Sequence, residues 1–408
     1  MAAAGSLRAG QLFAPPGISR PMLLLLAACG TMSVANVYYA QPLLDSIADE
    51  FAISHAAVGG VITSIHIGCA LALLLVVPLG DLVNRKRLIC AQLVLLTGAL
   101  ALVIWSPSWI LMLIGMAAIG LLGTAMTQGL IAYSANMAPE SERGRVVGTV
   151  QSGVVIGLLS ARSLAGFSAD VSGWRAVYVI SAALSLLMLV VLSRALPTPR
   201  APARKLRYSE LLGSMLQLIQ SERTLQVRGV LCLLMFAAFS VFWSTLVLPL
   251  SAAPHSMSHT TIGAFGLIGL VGALAAAGAG RWADRGLGQP ATCIALLCML
   301  LSWAPIALLH HSLLALMLGI ILLDLGGQAI HVLNQSMILN NKPETHSRLV
   351  ACYMLFYAAG SGLGAIASTF VFSRAGWLGV CALGFSISSV AFVFWLVTRK
   401  WMCRGQNP

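Results

Sequence analysis

Asp324, Gln328, His331 and Gln335 follow one another at steps of four, three and four, a spacing that sets all four on one face of a helix. The run that holds them, Leu322 to Gln335, lies inside an apolar segment over residues 312–339. About 20 apolar residues suffice to cross a bilayer as a helix. A carboxylate at mid-membrane depth costs roughly 2.5–3.5 kcal/mol on the insertion scale, which makes it a functional candidate by default. The chemistry this face suits is proton uptake and release along a water-filled pathway. The alternative is a buried hydrogen-bond network that holds neighbouring helices together.

Asp324 is the one acid among the twelve Asp and Glu residues that falls deep in an apolar segment. Its natural counterion is Arg162, which also lies inside one. An arginine cannot readily be neutralised, so it needs a partner. Counted from one face of the membrane, Arg162 is about 8 residues deep and Asp324 about 12, so their levels differ by roughly 6 Å at 1.5 Å per residue. The expectation is an ion pair between facing helices that breaks and forms as the protein changes state; each group satisfied separately by backbone and water is the other reading. His331 lies about 10 Å further along the Asp324 helix, within reach of a water relay, and histidine titrates near neutral pH. A neutral His331 bonded to an adjacent helix fits equally. His66 is read as a packing residue.

Polar and aromatic side chains suited to holding a moderately apolar organic solute are Asn36 and Tyr39, which share a face, with Gln128, Trp243, Gln328, Asn334 and Gln335. Tyr38 and Gln41 on the same segment could touch substrate too, and Ser244 and Thr245 stand beside Trp243 as their nearest counterparts. Tyr and Trp near helix ends also serve as interfacial anchors. Asn334 to Ser336 fits a glycosylation sequon, but inside an apolar helix it carries no such meaning.

The elements that must position these groups follow from composition. The chain has 408 residues, 59% hydrophobic and 9% charged, with a mean hydropathy of +0.90. Soluble domains carry about a quarter charged residues. Twelve apolar segments can be counted, at 21–44, 56–79, 88–105, 109–136, 146–169, 174–196, 228–250, 260–280, 290–309, 312–339, 349–372 and 376–398. All are expected to be helices, because backbone exposed to lipid must bond internally. No signal-peptide core precedes them.

With both termini in the cytoplasm, 21 of the 24 Lys and Arg residues fall in inner loops and tails, Arg228 among them. Only Arg175 and Arg374 fall outside. The asymmetry sets the orientation and accounts for the net charge of +12 without a nucleic-acid partner. Eight of nine cysteines sit in apolar segments and read as small hydrophobes, with no metal-ligand spacing.

The two halves repeat. Asp81 and Asp284 follow even-numbered segments at an offset of 203 residues, as do the Gly-Trp pairs at 173 and 376. Ser54-His55 and Ser258-His259 repeat at an offset of 204. Such spacing indicates internal duplication, with a site between the halves. The expected fold is an all-α membrane protein of two pseudo-symmetric six-helix bundles, residues 1–196 and 228–408. Residues 197–227 join them. Pro197, Pro199 and Pro202 stiffen the start of this linker, and the amphipathic stretch 208–220 is expected either on the inner membrane surface or as a plain linker helix.

Pro78 to Arg87, with Asp81 and Arg85, resembles the loop motif of the major facilitator superfamily. Val77 and Asn84 stand where that motif has glycines. A second copy, Gly280 to Gly286 with Asp284 and Arg285, matches better at its start. In that family the four charged residues form a conformational latch. Ala35 to Leu44 and Gly157 to Gly166 also resemble bacterial members of its drug–proton antiporter branch. There, however, proline stands at the position of Arg162, and the intramembrane arginine of helix 4 and the acid of helix 1 have no counterpart here.

The resemblance implies a proton-coupled secondary transporter working by alternating access. It would export small organic molecules as a monomer in the inner membrane, with substrate, protons and lipid as its only partners and no cofactor. Uptake or facilitated diffusion of a nutrient such as a sugar or organic acid is the alternative. No phosphate-binding loop of the nucleoside-triphosphatase type occurs, and the polar residues hold no nucleophile–base arrangement of an enzyme.

Overall fold

A computed structural model of the chain describes residues 19–139, 142–197, 208–276, 279, 282, 285–339 and 346–404, and all regular structure among them is helical. In the first half, α1 is Arg20–Tyr38 and a 3-10 turn, Gln41–Leu43, leads into α2, Leu44–Glu50. Next come α3, His55–Leu71, α4, Arg85–Ile104, α5, Trp109–Met137, α6, Arg143–Ser172, and α7, Ala176–Ala195. The second half begins with α8, Tyr208–Ser221, α9, Arg223–Trp243, α10, Val247–Ser251, and α11, His259–Ala276. It ends with α12, Gly288–Leu301, α13, Trp303–Ala307, α14, Leu313–Leu339, and α15, His346–Arg404.

Helix α15 runs 59 residues but breaks at Gly376, whose φ of 62° and ψ of −159° are non-helical and favour a residue without Cβ. Before the break, Gly360 and Gly364 lie against the backbone of Leu233 and Ala237, so the chain runs beside α9. After it, the indole of Trp377 donates to the Ile306 carbonyl (3.0 Å), Trp303 to Ser388 Oγ (3.0 Å) and Trp395 to Gln289 Oε1 (2.8 Å). Numbers rise on one side as they fall on the other, so this half returns antiparallel along α12 and α13. Among the described residues, ten helical runs are long and apolar enough to span a membrane. The break makes the longest of them two crossings and α11 adds one, which gives the twelve expected.

Helices approach closely where glycine permits. A Cβ on Gly68 of α3 would lie 1.9 Å from the Ala117 carbonyl oxygen of α5, and one on Gly120 of α5 would lie 2.0 Å from that of Ile65. Backbone cannot move aside as a side chain can, so Gly68→Ala should destabilise by about 1–3 kcal/mol, the usual cost of overpacking. Gly98→Ala on α4, where a Cβ meets nothing within 4 Å, should raise stability by up to about 1 kcal/mol through helix propensity. Thermal unfolding of the two variants in nanodiscs checks the pair.

One expectation changes. Arg228, counted with the loop cations, lies on α9 and is buried among α12 and α14. It donates to Thr292 Oγ1 (3.2 Å) and Asn334 Oδ1 (3.3 Å). The segment begins earlier than its apolar run, so the charge is carried inside and met by polar side chains. Helix α8, expected on the inner membrane surface or as a plain linker helix, buries Leu211 and Met215 and leaves Leu216 exposed; Cys352 Sγ donates to the Met215 carbonyl (3.6 Å), and the Tyr208 hydroxyl donates to that of Leu75 (2.8 Å).

Candidate functional site

Helix α11 carries glycine at 263, 266, 269 and 272. Three-residue steps keep these on neighbouring positions of the helix surface. A Cβ on Gly263 would lie 2.4 Å from the Arg162 carbonyl oxygen, and one on Gly266 would lie 3.3 Å from Arg162 Cδ. One on Gly269 would lie 2.8 Å from Asp324 Oδ2, and one on Gly272 would lie 2.4 Å from the Ile321 carbonyl oxygen. The missing side chains leave the room in which α6 and α14 place Arg162 and Asp324. Arg162 sits beside Gly266 and Asp324 beside Gly269, about 4.5 Å apart along the axis of α11, close to the level difference counted from the sequence.

Both residues are buried, Arg162 at 4% and Asp324 at 3% exposure. They are close enough to feel each other's charge, yet no ion pair closes between them. Arg162 instead donates through Nε to Gln41 Oε1 (2.7 Å). Its guanidinium stacks 4.0 Å from the ring centre of Trp243 and 5.5 Å from that of Tyr38. Arg162 Nη2, Trp243 Nε1 and Asp324 Oδ2 are all buried without a hydrogen-bond partner. Two free donors and one free acceptor, drawn from α6, α9 and α14, thus meet at the boundary between the halves.

Aromatic rings carry the boundary from Arg162 towards His331. The Tyr38 and Tyr357 hydroxyls lie 2.8 Å apart. Phe236 stands edge-on to Tyr357 (4.4 Å between centres) and to His331 (5.4 Å). His331 Nδ1 lies 3.1 Å from the Tyr353 hydroxyl, and Gln335 Nε2 lies 3.2 Å from its Nε2. Gln328 is half-buried on the same helix. Asn334 turns away to Arg228, as described above. His66 Nδ1 lies 2.8 Å from the Ile62 carbonyl oxygen, a helix-internal bond.

Asn36 and Tyr39 do share a face, but that face points into the first half. Asn36 donates to the Met32 carbonyl (2.9 Å) and accepts from Ser181 Oγ (2.8 Å), while Tyr39 stands edge-on to Tyr178 (6.2 Å). Tyr38 and Gln41, one step round the helix and its turn, are the residues that reach the boundary. Gln128 is also separate. It lines a cavity of about 60 Å³ with Gln92 and Arg85, between α4, α5 and the loop after α3.

Of the latch candidates, Asp284 and the side chain of Asp81 lie outside the described residues; Arg285 is exposed. Asn84, where the motif has glycine, caps α4 by accepting from the Lys86 (3.0 Å) and Arg87 (3.3 Å) amides, as asparagine does at helix starts. Gln41, expected against substrate, instead accepts from Arg162, and Tyr353 and Tyr357 join the site without having stood out in the sequence. Two tyrosines four apart in a chain with seven were the available signal.

The end of the molecule opposite the start of α1 and the end of α15 is sealed. Thr63 Oγ1 donates to the Gly362 carbonyl (2.8 Å), Thr369 Oγ1 to that of Ala56 (3.2 Å) and Ser163 Oγ to that of Gly263 (3.1 Å). His259, at the start of α11, meets Asp45 and Asp170 of the first half. Those carboxylates flank opposite sides of its ring, not one point, and no metal-binding group of three His, Cys, Asp or Glu occurs among the described residues. Glu50 accepts from Arg175 and from the Trp174 indole at the same end.

Residues 23–309 and 230–400 match the family model described as Major Facilitator Superfamily. The chain is 39% identical over 378 residues to the "Uncharacterized transporter YgaY" of Escherichia coli O157:H7, covering 93% of this chain and 95% of that one. It is 31% identical over 373 residues to the "Probable transporter SCO4007" of Streptomyces coelicolor, covering 90% and 84%. Its fold is similar to that of a bacterial homologue of the human lysosomal transporter Spinster, solved inward-facing and unoccupied. That match has a TM-score of 0.74 at 14% identity and covers 96% of this chain and 100% of that one. The twelve-crossing fold and these relatives together place the chain in the Major Facilitator Superfamily, whose members are transporters.

Proposed function

We propose that this transporter exports small organic molecules in exchange for protons by alternating access. Its two rocking halves are residues 1–196 and 228–408, joined by the linker 197–227. It works as a monomer in the bacterial inner membrane, with both termini in the cytoplasm, so that the sealed end faces outward. The observation that carries this reading is Asp324. Its Oδ2 is buried without a donor, beside an arginine of the other half whose Nη2 is without an acceptor. A carboxylate held this way can take a proton and release it when the halves move, since its surroundings differ between the two states. A polar solute would meet Arg162, Trp243 and Asp324, with Tyr38, Tyr357 and Phe236 supplying apolar and stacking surface.

Inverted membrane vesicles with an acid interior test it. A solute panel should include at least one compound taken up only while the gradient stands and lost on adding a protonophore. Uptake of the same compound at the same rate without a gradient would instead establish facilitated diffusion. Gradient-driven movement out of such vesicles would establish nutrient uptake.

A further inference from the structure

His259 is gripped from both sides by the other half of the molecule. Its Nδ1 lies 3.1 Å from Asp170 Oδ1 at the end of α6. Its Nε2 lies 3.1 and 3.2 Å from the two carboxylate oxygens of Asp45 and 3.1 Å from Ser46 Oγ, both on α2. Asp170 also caps α11, accepting from the backbone amides of His259 (3.0 Å) and Thr260 (2.7 Å). A Cβ on Gly166 would lie 2.1 Å from the His259 carbonyl oxygen, so α6 and α11 touch through backbone at this point.

A neutral imidazole has one N–H and one lone pair. Whichever tautomer forms, one nitrogen turns its lone pair on a carboxylate. Only the imidazolium donates to both. The groups facing the ring are Asp45 and Ser46 of α2 and Asp170 of α6, with Ser258, Thr260 and Thr261 beside it on its own strand of chain. No Lys or Arg is among them.

We infer that His259 is a proton-binding site built into the seal, and that its proton must leave before α11 can part from α2 and α6. This stands on geometry separate from Asp324 and holds whether the protein exports or imports. His259 precedes the membrane-crossing run 260–280. Hydrogen bonding from Asp45 raises its pKa above the ordinary 6.5, against the opposing pull of burial. Opening the seal removes both carboxylates and returns the pKa towards that ordinary value. The closed form is therefore favoured fully below about 6.5, and this advantage is lost as pH climbs through the raised value. Acid on the sealed side closes the gate; alkali releases it.

The test uses the full chain in nanodiscs, with nitroxides on p-acetylphenylalanine at Ser172 and Ala252, two exposed positions either side of the seal. Distances between them are read by pulsed electron paramagnetic resonance from about pH 5.5 to about pH 8.5, the range over which histidines titrate. The short-distance population should dominate at the acid end and fall by at least half at the alkaline end. His259→Gln should abolish that dependence, and Asp45→Asn should move its midpoint to lower pH. A wild-type distribution unchanged across the range, or a titration that survives His259→Gln, overturns the inference. Should His259→Gln fail to fold, Asp45→Asn decides alone, and an unmoved midpoint overturns it.

Discussion

Replacing Arg162 by methionine is expected to destabilise the protein by about 3–5 kcal/mol, the cost of leaving one member of a buried charged pair without the other. Methionine keeps much of the aliphatic stem, so little of this loss comes from volume. What goes is the positive charge beside Asp324, the Nε bond to Gln41, and the stacking on Trp243. Stacking of a desolvated guanidinium contributes about 2 kcal/mol or more, so roughly half of the loss is left for the stranded carboxylate. The double variant Arg162→Met/Asp324→Asn should therefore recover about half of the loss, a coupling of the size seen between neighbouring groups. Thermal unfolding of the three proteins in nanodiscs measures it. Equal losses in the single and double variants would show that the two side chains do not act on each other.

Asp324→Asn alone keeps the shape beside Gly269 and strands Arg162, which retains Gln41, Trp243 and Tyr38, so the fold should stand with a loss of stability smaller than that of Arg162→Met. Gradient-driven transport should fall by about two orders of magnitude, the scale on which one positioned proton-transfer group contributes, and the remaining rate should no longer respond to the gradient, keeping only the pH dependence that His259 sets. Initial rates in proteoliposomes under an imposed pH step provide the measurement. If the dependence on the gradient persists unchanged, Asp324 is not the coupling group, and the proton route would run through His331 and Tyr353.

The crossings were legible because each apolar run is long enough to decide itself, and the orientation because charge asymmetry is strong. Asp324 and Arg162 stood out for the same reason: a charge in an apolar run has nowhere cheap to hide. Arg228 did not, since it sits two residues before Val230 at the edge of its apolar run, where position alone does not separate a loop cation from a buried one. The face of α1 was misassigned because Asn36, Tyr38, Tyr39 and Gln41 are all polar or aromatic, and nothing local says which neighbours two helical faces meet. Asp45 and Asp170 read as ordinary loop acids. Their role depends on His259, 214 and 89 residues away, a pairing that only the tertiary fold supplies.

The bare face of α11 bears on how such a molecule can move. Interlocked side chains must lift out of their grooves before one helix tilts on another, and each rotamer change adds to the barrier. Where it meets Arg162 on α6 and Asp324 on α14 this helix offers hydrogens at four stations, so at those points it can turn like a journal in a plain bearing, with the two buried charges riding on either side and Ile262 and Phe265 packed beside them.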